Sequence, residues 1–147
     1  MKIAITTSTF GKFSDEPFRI LTQKGLTYIL NPHGRKLTEN EALELLQGCV
    51  GVIAGTEPLT AMVMNGLPDL KVISRCGSGM DNVDMIAAAK HDIEVCCTPL
   101  GPTLAVAELT LGYALDLMRQ ITRMDRELRA GTWKKRMGNT LHNKKLS

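Results

Sequence analysis

The sequence predicts an α/β fold, a parallel five-stranded sheet doubly wound by helices and followed by one long helix. Three observations carry that expectation. Short apolar runs alternate with helix-like patterns between residues 2 and 97. Glycine, proline or asparagine marks most of the junctions between them. A chain of 147 residues, 44% of them apolar, is long enough to bury a core.

Residues 2–6 read as the first strand and residues 15–24 as the first helix, closed by Gly25. Residues 27–30 form a strand stopped by Asn31-Pro32. Thr38 caps a helix reaching Gln47, and Glu41, three residues on, completes a capping-box pattern. Residues 51–54 are the third strand, with a turn at 55–58, and residues 60–65 a short helix ended by Gly66. The fourth strand spans 71–75, the fourth helix 83–90 and the fifth strand 93–97. Alternation at this spacing predicts parallel pairing with helices on both faces, a flavodoxin-like layered sheet.

After residue 101 the pattern changes. Pro102 suits a first helical position, and no breaker follows until Gly131. About 29 residues would make a rod of roughly 43 Å. A domain of this size has a radius of gyration of only about 15 Å, so the helix is expected to overhang. Its first half, with Leu104, Val106, Leu109, Leu111, Tyr113 and Leu115, is apolar nearly all round, which predicts burial against something other than the sheet. Residues 131–147 are polar without periodicity and read as a linker. The expected organisation is a domain over 1–101, a long helix over 102–130 and a linker over 131–147.

Charge and composition exclude several classes. The net charge of +3 divides into +7 from Arg119 onward and −4 before it. That basic segment holds one aromatic residue, Trp133, so it lacks the interleaved aromatics of single-strand nucleic-acid binding; Arg119, Arg123, Arg126 and Arg129 read as a solvated helix face. No apolar run approaches the ~20 residues of a membrane span. The apolar start at residues 1–5 is too short for a secretory signal, which points to a soluble, cytoplasmic protein. Cys49, Cys76, Cys96 and Cys97 show neither a C-x-x-C pair nor cysteine–histidine spacing, so no metal is expected and the thiols read as reduced core filler. His33, His91 and His142 form no site and read as surface residues.

The chemistry is expected in the segment Arg75-Cys76-Gly77-Ser78-Gly79-Met80-Asp81-Asn82, between a strand and a helix at the carboxyl end of the sheet. Glycines there let the backbone turn and present N–H groups to an anion, and the following helix adds its dipole. A dinucleotide pattern would want glycine at position 82, which is Asn, and an acid ending the next strand, which runs Val95-Cys96-Cys97-Thr98. A small carboxylate or phosphate held by backbone groups, or a tight turn without a ligand, both remain open. The hydroxyl run Thr6-Thr7-Ser8-Thr9 has no glycine within it and reads as a polar turn. Glu57, on the same rim, either hydrogen-bonds a hydroxylated ligand or is a solvated turn residue.

From Ser74 to Asp84 the chain resembles the D-isomer-specific 2-hydroxyacid dehydrogenases, nearest their 3-phosphoglycerate dehydrogenase branch. The likeness continues through Ala87-Ala88-Ala89, Thr98-Pro99, Ala107-Glu108-Leu109-Thr110, Arg129-Ala130-Gly131 and Trp133-Lys134. It also includes Gly55-Thr56-Glu57-Pro58-Leu59-Thr60 upstream. The resemblance implies a substrate domain paired with an NAD-binding Rossmann domain, the long helix crossing between them. Gly77, Ser78 and Gly79 would offer amides to the carboxylate of a small 2-hydroxy or 2-oxo acid, and Ser78 would also touch the nicotinamide. Arg75, Asp81 and Asn82 would shape the loop. The family's catalytic arginine, glutamate and histidine lie beyond the point matched by Leu146-Ser147, so no catalytic residue is expected here. Where some phosphoglycerate-specific members carry an arginine, this chain has Ala54.

The expectation is therefore the substrate-binding portion of an NAD-dependent oxidoreductase of serine biosynthesis, inactive alone and a homo-oligomer, such as a dimer, through its apolar helix. The alternative is a stand-alone module that senses a small acid and acts through a protein partner.

Overall fold

Strands β1 (Lys2–Ile5), β2 (Thr27–Leu30), β3 (Gly51–Ala54), β4 (Val72–Arg75) and β5 (Glu94–Cys97) pair in parallel in the order β2-β1-β3-β4-β5. The structure, a computed structural model, describes residues 1–145. The central strands place Ala4, Val52, Ala54 and Ile73 in the core with Leu46, Val63, Met64 and Leu70. Such near-continuous apolar strands are what a sheet covered on both faces demands. The strand order reverses at β1, which puts a crevice beyond the carboxyl ends of β1 and β3.

Helices α1 (Glu16–Gln23), α2 (Glu39–Leu45), α3 (Ala61–Asn65) and α4 (Met85–Lys90) alternate with the strands. The capping box forms. Thr38 Oγ1 accepts from the Glu41 N–H, while Glu41 Oε2 accepts from the Thr38 N–H at 2.8 Å. Phe18 of α1 packs edge-on to Phe10, with ring centres 5.2 Å apart, and stacks on Tyr28 at 5.3 Å.

The cysteine expectation needs correction. Cys49 is buried, but Cys76 and Cys96 are exposed, Cys97 is half-buried, and all four are free thiols. β5 is an edge strand and Cys76 lies just past the end of β4, positions with fewer neighbours than the core offers.

Met1–Gly101 and the segment from Pro102 onward are separate compact units. In the second, the uninterrupted helix expected over 102–130 is two helices, α5 (Thr103–Arg119) and α6 (Ile121–Arg129). Gln120 between them is left-handed, with φ 55° and ψ 39°. The Asp116 carboxylate supplies the reason: its Oδ1 accepts from the Thr122 N–H at 2.7 Å and from Thr122 Oγ1 at 2.9 Å. It satisfies a first-turn amide of α6 that a continuous helix would have satisfied itself. No residue of α5 is buried within this chain, Leu104 and Leu117 being among the most exposed.

The stretch read as a linker packs on its own unit. Asn139 N–H donates to Met118 O at 2.8 Å, Gln120 Nε2 donates to Met137 O at 3.0 Å, and Arg136 pairs with Glu127. The Arg136 guanidinium holds the Glu127 carboxyl below its ordinary range. Leu146 and Ser147 lie outside the described residues.

Candidate functional site

The rim of the Met1–Gly101 unit at the carboxyl ends of β1, β3 and β4 is held by three side chains. Asn31, just after β2, donates from Nδ2 to Thr6 O and to Arg35 O, both at 2.8 Å, which straps the β2–α2 loop to the end of β1. Asn82 donates from Nδ2 to Glu57 O at 2.7 Å and to Gly55 O at 3.3 Å. Leu59 N–H donates to Asn82 O at 2.8 Å, so the loops after β3 and β4 are fastened together. Thr98, just past β5, grips Gly77 from both sides: its Oγ1 accepts from the Gly77 N–H at 2.8 Å, and its own N–H donates to Gly77 O at 3.0 Å.

That last contact corrects one expectation. The Gly77 amide is already bonded within the chain and is not offered to a ligand. Ser78 and Gly79 are exposed, and among the described residues neither amide meets an internal acceptor. Gly77 has a different task. Its φ of +135° is open only to glycine, and the Arg75 guanidinium fills the space where a Cβ would stand. Arg75 Nη1 in turn donates to Cys76 O, so arginine and glycine together set the path of the loop. Asp81 and Asn82 follow in the same loop, and Asn82 fastens it.

The helix dipole drops out of the site. α4 starts at Met85, later than expected, and the Asp84 carboxylate accepts from the Ile86 N–H at 3.1 Å and the Ala87 N–H at 2.9 Å. Its first amides are capped by the chain itself.

Glu57 is 1% exposed, which overturns the solvated-turn reading. Its Oε1 accepts from Thr6 Oγ1 and, at 3.1 Å, from the Gly55 N–H, which also reaches Oε2 at 3.1 Å. A cavity of about 290 Å³ opens on this corner, lined by residues 6–9 after β1, Arg35 and Lys36, residues 55–57 and Cys76. The hydroxyl run is thus a cavity wall as well as a turn.

Sequence reasoning passed over Asn31, Arg35, Lys36 and Thr98. Only the fold brings the β2–α2 loop to the ends of β1 and β3, and no spacing between residues 31–36 and 55–57 announces it. Arg35 makes a paired contact with Glu41, at 2.9 and 2.6 Å, which holds the Glu41 carboxyl far below its ordinary value. His33 stands 3.8 Å from the same carboxylate, and His91 faces Asn65 Oδ1 at 2.7 Å. Among the described residues no group of three or more His, Cys, Asp or Glu comes together as a metal cluster, and no helix is long and apolar enough to cross a membrane.

Residues 5–143 match the sequence model of a family described as D-isomer specific 2-hydroxyacid dehydrogenase, catalytic domain. The chain is 38% identical over 131 residues to D-3-phosphoglycerate dehydrogenase from Homo sapiens, covering 87% of this chain and 24% of that enzyme. It is 30% identical over 122 residues to hydroxypyruvate reductase from Thermotoga maritima, covering 82% of this chain and 39% of that one. Among solved structures, the TT0316 protein from Thermus thermophilus superposes with a TM-score of 0.85 at 32% identity, over 96% of this chain and 46% of that chain. The chain thus spans about a quarter of the length of the human relative it matches.

Proposed function

The chain belongs to the D-isomer specific 2-hydroxyacid dehydrogenase family, and from that premise we propose that it is the substrate-binding portion of an NAD-dependent 2-hydroxyacid dehydrogenase. The observation that carries the reading is the pair of exposed amides at Ser78 and Gly79, without internal acceptors among the described residues. Two N–H groups on a loop pinned by Thr98, Arg75 and Asn82 are a preorganised seat for a carboxylate. In this reading they hold the C1 carboxylate of a 2-hydroxy or 2-oxo acid. The 38% identity to a D-3-phosphoglycerate dehydrogenase supports phosphoglycerate as the substrate, and with it a cytoplasmic role in serine biosynthesis.

These residues do not build a dinucleotide cradle. Asn82 stands where the third glycine would be, its amide nitrogen is bonded to Gly55 O and Glu57 O, and β5 ends at Cys97 without a carboxylate. The reading therefore assigns NAD, the general base and the arginine clamp to a Rossmann domain outside these 147 residues, with Ser78 its one contact here. The Asp81 carboxylate stands near Gly79, its Oδ2 3.8 Å from where a Cβ would be, but with NAD assigned elsewhere this reading has the 147-residue chain by itself hold an acid without oxidising it. The exposed apolar face of α5 supports self-association as the assembly.

Calorimetric titration of the chain with D-glycerate, D-3-phosphoglycerate and the methyl ester of glycerate tests the proposal. Both acids are expected to bind and the ester to fail, because an ester loses the charge that the amides recognise. Equal binding of acid and ester, or NADH formation by the 147-residue chain with either acid, would overturn it.

A further inference from the structure

A second cavity, of about 580 Å³, lies wholly within the unit from Pro102 onward and is lined by α6, by Arg119 before it and by the segment that follows it. Small-molecule clefts run from about 300 to 1,000 Å³, so this one has room for a single small ligand. The carboxylate seat at Ser78 and Gly79 makes no use of it.

The cavity is built by contacts of the chain with itself. Ile121, Met124 and Leu128, spaced i, i+3 and i+7, put one apolar stripe of α6 on its wall. Gly131, at φ +77°, turns the chain back, and the Thr132 N–H donates to Glu127 O at 2.9 Å. Arg136 then bonds the Glu127 carboxylate through Nε, at 3.1 Å, and through Nη2. The returning segment is thus tied to α6 at both ends, and Trp133, Lys134 and Lys135 between those ties complete the lining.

The apolar lining is unfilled within this chain: Ile121 is 51% exposed, Leu128 54% and Trp133 83%. A ligand body that takes this surface out of water gains about 25 cal/mol per Å². The charges are unbalanced as well. Arg119, Lys134, Lys135 and Arg136 line the cavity against the one carboxylate of Asp125, which Arg129 holds at 2.9 Å. Arg136 is partly buried, and Glu127 does not cancel it, because Arg123 Nε donates to the same carboxylate at 3.2 Å. Two guanidinium groups on one carboxylate leave a positive charge in excess. Arg119, Lys134 and Lys135 have no carboxylate partner among the described residues.

We infer that this cavity binds a small amphiphilic anion, its apolar tail against Trp133, Met124 and Leu128 and its carboxylate or phosphate head met by Arg136, Lys134 and Lys135. An uncharged apolar ligand would leave the cations without a partner, and a small polar acid would leave the apolar stripe in water. The site stands independently of the reading of Ser78 and Gly79.

Trp133 is the single tryptophan of the chain, so its emission reports this cavity alone. The test titrates the 147-residue chain with octanoate, octyl phosphate, octan-1-ol and butyrate, each below its micellar concentration. Octanoate or octyl phosphate is expected to move the Trp133 emission to the blue, saturably, and the better of the two identifies the head. Octanol, which lacks the charge, and butyrate, which lacks the tail, should each bind at least about tenfold more weakly. Leu128→Glu puts a carboxylate into the apolar stripe and should abolish the shift, whereas Leu104→Glu, exposed on α5 outside the cavity, should leave it intact. Lys134→Gln combined with Lys135→Gln should narrow the gap between octanoate and octanol at least about threefold. Absence of a saturable shift with either anion, equal binding of octanoate and octanol, or a response that survives Leu128→Glu would overturn the inference. So would an emission shift that follows chain concentration without ligand, the mark of a second copy in the cavity, or one produced by phosphatidylglycerol vesicles and by neither anion.

Discussion

Replacing Gly77 by alanine probes the loop at its most constrained point. Two penalties are expected. A side chain at φ +135° occupies backbone space that is essentially glycine's alone, at about 1–3 kcal/mol. The new Cβ would also stand 2.9 Å from Arg75 Cζ, so the guanidinium must withdraw and give up its bond to Cys76 O, about 1 kcal/mol more. The loop cannot swing away, because Thr98 bonds both the N–H and the carbonyl of Gly77. The total is about 2–4 kcal/mol. Gly25→Ala is the control: φ is +69° and nothing lies within 4 Å of the added carbon, leaving only the left-handed penalty of about 1–2 kcal/mol. Equilibrium unfolding in urea measures both, and in an Arg75→Ala background, where the bond to Cys76 O is already gone, Gly77→Ala should cost about 1 kcal/mol less. A Gly77→Ala variant no less stable than Gly25→Ala, or an equal cost of Gly77→Ala with and without Arg75, would refute the account of how the loop is shaped.

Other outcomes follow from the same contacts. Asn82→Asp turns a carboxylate toward Gly55 O and Glu57 O, replacing two donated bonds by repulsion, and is expected to cost about 2–3 kcal/mol in urea unfolding. Glu41 has its pKa depressed below the ordinary 4.5, first by the Arg35 guanidinium and then by the Thr38 N–H. Its contribution is therefore complete above pH 4.5 and is lost as the pH falls toward the depressed value; Glu41→Gln should flatten that acid limb in a urea-midpoint series. Asp116→Ala removes the cap on Thr122 and should lower the stability of α6 by about 1 kcal/mol, read as lost amide protection at Thr122. Sedimentation at rising concentration should show self-association that Leu109→Lys weakens, since Leu109 lies exposed on α5.

The alternation of apolar runs with capped or glycine-ended helices made the sheet legible in the sequence alone. β2 and β3 have the expected bounds, and the other strands differ by one residue at an end. Local signals suffice for such elements because strand period and the Thr38–Glu41 cap are encoded within a few residues. The break at Gln120 escaped because it depends on a carboxylate reaching across six residues to Thr122, without the glycine or proline that usually marks a helix end. The amide-presenting loop was legible as a place but not in detail. That Gly77 is bonded to Thr98 depends on the pairing of β4 with β5, which brings residues 21 apart into contact. Arg35 and Lys36 became part of the rim for the same reason: parallel order, not sequence distance, delivers them to the ends of β1 and β3.

A crystal structure of this chain grown with saturating D-glycerate addresses the central claim most directly. The account expects the acid's carboxylate oxygens within hydrogen-bond distance of the Ser78 and Gly79 nitrogens, with the Gly77 N–H still on Thr98 Oγ1. An acid seated elsewhere on the unit while those two amides face only solvent would contradict it.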